Sequence, residues 1–205
     1  MKILKWMGLL FVLLSFSNCT QKERFNEPVQ PLYARAATYQ LGSYYVFRDS
    51  VTHGLDSFYV TLCDTSKFLA NDTWKETLIT TFKDNANNEF GFVAGTVRYI
   101  NFGFSKFAGT SNLSGGFIYG HDVTVGQMEE NVGYYSNKCI QIHDSITIEN
   151  RVYYHVYETL FQNYTTVDTA YLHKWYSLQD GLIKMRIHGN GVDKVYTTLR
   201  YLQLN

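Results

Sequence analysis

Cys139-Ile140-Gln141-Ile142-His143-Asp144-Ser145-Ile146-Thr147-Ile148 is followed by Glu149-Asn150-Arg151 and then by Val152-Tyr153-Tyr154-His155-Val156-Tyr157-Glu158-Thr159-Leu160. Ile140, Ile142, Ile146 and Ile148 share one parity in the first run, and Val152, Tyr154, Val156 and Leu160 share one in the second. Successive side chains of a strand point to opposite faces, so a period of two marks a half-buried strand. Matching the apolar faces sets Ile148 opposite Val152 and predicts a hairpin whose turn is the three residues 149–151. In that register His143 faces Tyr157 and His155 faces Ser145. A slip of one residue would turn both apolar sets to the wrong side.

Working outward, the same punctuation recurs. Downstream, residues 170–177, 182–188 and 194–204 read as strands, separated by turns at Gln179-Asp180-Gly181 and Gly189-Asn190-Gly191. Upstream, residues 39–49 and 56–63 flank a loop containing Gly54. In residues 73–84, Trp74, Leu78 and Phe82 recur at helical spacing, but residues 77–82 alternate and are rich in β-branched side chains, which favours strand. Residues 89–104 form a second hairpin candidate, and 106–120 a glycine-rich loop ending in a strand at 117–119. No proline follows Pro31, as expected where every backbone N–H is needed in a ladder. Seventeen Tyr and fourteen Phe also favour strands. The predicted fold is mainly β: an antiparallel meander curled into a half-barrel or open barrel, with little helix beyond the N-terminal segment.

That segment sets the address. Lys2 and Lys5 precede the apolar run Leu9-Leu10-Phe11-Val12-Leu13-Leu14, and Ser15-Phe16-Ser17-Asn18 lead into Cys19. The apolar stretch from Trp6 to Phe16 is eleven residues, short of the roughly 20 that a membrane-spanning helix needs. It reads as a removable signal. The cysteine behind a small polar patch resembles the bacterial lipobox, although Phe16 and Asn18 stand where smaller residues are usual. The resemblance implies a diacylglycerol on the Cys19 thiol. The expected organisation is a signal peptide over 1–18, a lipidated cysteine and flexible tether over 19–37, and one β domain over 38–205.

The chain from Cys19 to Asn205 has 16 basic and 18 acidic residues and no basic stripe, so nucleic acid is not an expected partner. Cys63 and Cys139 remain as a candidate disulfide; a pair of separate reduced thiols is the alternative. Both are expected on the less apolar faces of their strands.

Gly42-Ser43-Tyr44-Tyr45-Val46-Phe47-Arg48-Asp49-Ser50, Ile148-Glu149-Asn150-Arg151-Val152-Tyr153-Tyr154-His155-Val156-Tyr157 and Trp175-Tyr176-Ser177-Leu178-Gln179-Asp180-Gly181-Leu182-Ile183-Lys184 carry a family resemblance. They are similar to blocks of uncharacterised envelope lipoproteins of Bacteroidetes. The resemblance implies a lipid-anchored envelope protein shaped like the open half-barrels of lipoprotein carriers, and no known reaction. Asp49-Ser50-Val51, Asp144-Ser145-Ile146 and Asp168-Thr169-Ala170 also resemble the Asp-Ser/Thr-aliphatic sites glycosylated on exported proteins of that lineage, which makes Ser50, Ser145 and Thr169 candidate O-glycosylation sites.

Catalytic motifs are weak. His143, His155 and His173 are candidate metal ligands if their strands are neighbours, but no close-spaced pair of ligands supports them, and half-buried polar histidines are the simpler reading. No nucleophile elbow or phosphate loop is present in the sequence, and adjacent Glu129 and Glu130 would diverge on a strand. The expectation is a non-catalytic, cofactor-free lipoprotein of the cell envelope, sorted to the outer membrane. It would bind a hydrophobic or glycan ligand on its sheet or, alternatively, serve as an assembly factor contacting another envelope protein. A hydrolase or metal-dependent enzyme is a third reading.

Overall fold

The computed structural model describes residues 26–29, 31, 34, 39–71, 73–95, 99–107, 110–113, 117–120, 125–126, 128–131, 135–163, 170–189 and 191–203. The strands are β1 (Asn26–Glu27), β2 (Tyr44–Asp49), β3 (Leu55–Ala70), β4 (Thr73–Lys83), β5 (Glu89–Gly95), β6 (Tyr99–Phe107), β7 (Thr110–Leu113), β8 (Phe117–Gly120), β9 (Met128–Asn131), β10 (Tyr135–Ile148), β11 (Arg151–Asn163), β12 (Ala170–Ser177), β13 (Gly181–Gly189) and β14 (Val192–Leu202). The ambiguous 73–84 stretch is therefore a strand.

One sheet contains them all, in the order β7-β6-β5-β4-β3-β2-β14-β13-β12-β11-β10-β9, with β8 on β6 and β1 on β4. Every neighbouring pair along that order is antiparallel, and β1 alone runs parallel to its partner. The expected meander is present. Closure is not: among the described residues no ladder joins β7 to β9, and the hydrogen bonding gives a strongly rolled barrel no support.

Aromatic rings dominate the apolar face. Tyr45 and Phe47 of β2 stack at 5.4 Å, Phe82 of β4 and Phe90 of β5 at 4.8 Å, and Phe58 meets Phe90 at 4.9 Å. All five are buried. Pairs of this kind add about 0.5–1.5 kcal/mol each beyond area burial. Tyr39 donates to or accepts from Tyr45 at 2.7 Å, and the Leu182 N–H reaches the Tyr45 hydroxyl, so buried phenols are paired across the join of the two meanders.

Two expectations need correction at β10–β11. The turn is Glu149-Asn150 alone, with φ of 49° and 63°, and Ile148 faces Arg151. His143 consequently faces Val156, and Ser145 faces Tyr154. Two left-handed residues match the twist of the strands they join. Face matching misled because this end of the hairpin is not in the core: Ile142, Val152 and Tyr154 are exposed. A bulge between Cys139 and Gln141 further rotates Cys139 onto the buried face, away from the less apolar side where alternation put it. Ile146 and Ile148 instead pack with Tyr153, Val156, Ile183 and Trp175 in a small second cluster.

Gly189 ends β13 with φ of 128°, and a Cβ there would stand 2.6 Å from Ala170 Cβ and 2.8 Å from Ala170 Cα. Gly189→Ala is expected to cost about 3 kcal/mol through backbone crowding and strain. Gly191→Ala, where a Cβ meets nothing within 4 Å, should cost only about 1 kcal/mol for its positive φ. Urea unfolding midpoints of the two variants check the difference.

Candidate functional site

β12 alternates Ala170, Leu172, Lys174 and Tyr176 on its buried face, so a lysine sits mid-strand where an apolar residue is usual. The ladders place Cys139 opposite Thr159, Thr159 opposite Lys174, and Lys174 opposite Met185. Asn137 lies one step along, opposite Phe161. Asn137, Cys139, Thr159 and Lys174 are all buried, forming a polar island on the otherwise apolar face. β8 approaches β11 and β12, and β7 approaches β12.

Among the described residues, Asn137 Oδ1, Asn137 Nδ2 and Thr159 Oγ1 have no hydrogen-bond partner. Leaving a buried polar atom unpaired costs about 1–3 kcal/mol. Burial pulls the Lys174 ammonium down to about 7, so the amine changes charge near neutral pH. Burial, and then the negative charge of Glu158, push the Cys139 thiol up, which makes it a poor nucleophile. The island thus gathers an amide, a hydroxyl and an amine on one otherwise apolar face.

The opposite face of the same strands carries a different cluster. Glu158 Oε2 meets His143 Nε2 and Glu158 Oε1 meets His173 Nε2, both at 2.7 Å. His173 is tilted against Trp175 at 4.0 Å between ring centroids. Burial depresses the His173 pKa, and the Glu158 bond opposes that shift without cancelling it. His143 and His173 therefore meet through a glutamate that the sequence analysis did not single out. His155 does not join them: it is exposed, with φ of 50°. Among the described residues no group of three or more His, Cys, Asp or Glu is placed to hold a metal ion. The arrangement clamps β10, β11 and β12 together.

Cys63 lies exposed on β3 and Cys139 lies buried on β10, both as free thiols. Ser50 is exposed in the β2–β3 turn. The neighbouring Asp49 carboxylate accepts the Val51 and Thr52 N–H groups. Burial alone would raise its pKa, but these bonds outweigh it and hold the carboxyl below its ordinary value. Ser145 is exposed on β10. Cys19 and Thr169 lie outside the described residues. No protein-family model matches the chain, and neither the curated proteins nor the solved structures offer a similar one.

Because the Lys174 amine holds its proton less tightly folded than unfolded, the unfolded chain binds more protons between about pH 7 and 10.5. Stability should therefore rise with pH from 7 toward 9, by at most about 1.4 kcal/mol per pH unit. Above about pH 10 the buried phenols of Tyr39, Tyr45 and Tyr176, whose pKa values are raised, act in the opposite direction. Urea titrations from pH 7 to 9 should show the rise in the native protein and a flat profile in Lys174→Met.

Proposed function

We propose that this chain is a non-catalytic lipoprotein of the bacterial cell envelope, akin to those of Bacteroidetes and held in the outer membrane through Cys19, that binds an amphiphilic ligand on the inner face of its sheet. The observation that carries the ligand reading is the set of three unpartnered polar atoms on Asn137 and Thr159, buried beside Lys174. Native proteins seldom leave such atoms unpaired without a use. The surroundings are apolar and aromatic, so a ligand would bring a polar head to the island and lay a hydrophobic or sugar-ring body along the sheet.

A curled sheet is part of the proposal. Phe92 of β5 and Tyr176 of β12 are six places apart in the strand order, yet their ring centroids are 6.2 Å apart. Six steps along a flat sheet would span about 29 Å. This supports a half-barrel with its ends unjoined, in which the island lies on the concave side. The raised pKa of Cys139 speaks against a nucleophilic role for that thiol. The anchor reading rests on the lipobox resemblance and the short apolar segment before Cys19.

Mass spectrometry of the membrane-extracted protein tests both halves. The denatured chain should carry the mass of acyl chains at Cys19. Under native conditions it should carry a further non-covalent adduct, and that adduct should vanish in Asn137→Leu/Thr159→Val while the acyl mass stays. An acylated native protein with no adduct would refute the ligand reading; an unacylated Cys19 would refute the anchor.

A further inference from the structure

We propose that the tip of the β3–β4 ribbon rests on the bilayer surface as a second, non-covalent contact beside the lipid anchor; this goes beyond the ligand reading but rests on the acylation of Cys19. The ladder of β2 on β3 ends at Tyr59, and the ladder of β5 on β4 ends at Thr77. Beyond those points β3 and β4 pair with each other as a ribbon extending past the body of the sheet, down to Ala70 opposite Thr73. Asn71, with φ of 50°, turns the chain at the end.

The tip is apolar where a solvated ribbon would be polar. Phe68, Leu69 and Trp74 are 46%, 42% and 37% exposed. Leu69 lies directly opposite Trp74 on one face of the ribbon, and Phe68 lies opposite Lys75 on the other. Lys67 is one step further in, facing Glu76. Exposed Trp, Phe and Leu next to lysines is the composition that settles at the boundary of headgroups and acyl chains. Among the described residues no strand pairs with β3 beyond Tyr59 on that side, and this open edge keeps the ribbon itself out of hydrocarbon, so only side chains at the tip enter.

Where the chain leads from this ribbon selects a membrane as the occupant. β1 lies on β4 with Asn26 at Trp74 and Glu27 at Lys75. It runs parallel to β4, which starts at the tip, so the N-terminal end of β1 faces the tip. Val29 secures this segment: it is buried, and its N–H donates to Glu76 Oε2 at 3.2 Å. Six residues lie between Cys19 and Asn26, so seven backbone steps give a reach of at most about 25 Å. Acyl chains on Cys19 must then enter a bilayer within that distance of Trp74. Once the acyl chains hold the protein at the bilayer, the weak contact of the tip becomes intramolecular and gains from a high effective concentration.

Trp6 belongs to the signal peptide, so Trp175→Phe leaves Trp74 as the single tryptophan of the mature chain. That lipoprotein is reconstituted into vesicles of phosphatidylethanolamine and phosphatidylglycerol carrying bromine near the headgroup end of the acyl chains. Trp74 emission should fall roughly two-fold or more relative to unbrominated vesicles, as for an interfacial indole. Adding Phe68→Ser/Leu69→Ser should abolish most of the quenching. Intact mass, read on the same sample, reports acylation separately. Acylated protein with unquenched Trp74 overturns the bilayer contact alone, and crosslinking of the tip to another envelope protein in whole cells would then identify its occupant. Unacylated protein overturns the anchor and this contact with it.

Discussion

The pairing of β2 with β14 is the constraint on which the structure depends. It brings Tyr45 opposite Tyr201 and joins the first long strand to the last, so two meanders become one sheet. Either meander alone would present a wide apolar face to water. Joined, they share Tyr45, which stacks on Phe47 and on Tyr201 and bonds through its hydroxyl to Tyr39. That ladder is also the most non-local in the fold. Closing so long a loop before its contacts form is entropically costly, and domains of this kind fold slowly.

The buried face is divided in character. From β2 to β6 it is a continuous packing of rings with their hydroxyls mutually satisfied. Near β10 to β12 it holds an amine, an amide and a hydroxyl. The aromatic part specifies the shape, and the polar part departs from what stability alone would select. The cost of burying Lys174 shows in its lowered pKa, and an apolar side chain of similar volume would avoid it. Such a departure within an otherwise consistent core is where function is sought.

Much of the architecture was readable in advance. Alternation located β4, β12, β13 and β14 closely, and turn residues marked most boundaries. Alternation names two faces without saying which is covered, and this is where the reading failed. The isoleucines of β10 look like a core stripe, yet the hairpin they belong to reaches beyond β12 and folds its tip over the outer face. A single extra residue at Cys139–Gln141 then exchanged the faces upstream. Glu158 was missed because the turn has two residues where three were expected, and only that register sets it opposite Gln141 with His143 and His173 in reach. Lys174 was overlooked as well, although a charge at an alternating position between Leu172 and Tyr176 was the signal that could have found it. The length of β3 was not legible: residues 64–70 lack strong alternation because the ribbon has no buried side to select for.

The turn of the β10–β11 hairpin is fastened by Arg48 to Glu149 and by Arg151 to Asp180. Arg48 and Glu149 are both partly exposed, and Arg151 more so, which puts these ties within reach of dissolved ions. The flap they secure is what shields Ile183. A change from dilute to salty solution would thus loosen one cover on the outside of the molecule while its ring-packed interior stayed unchanged, giving the protein two outer surfaces on a single frame.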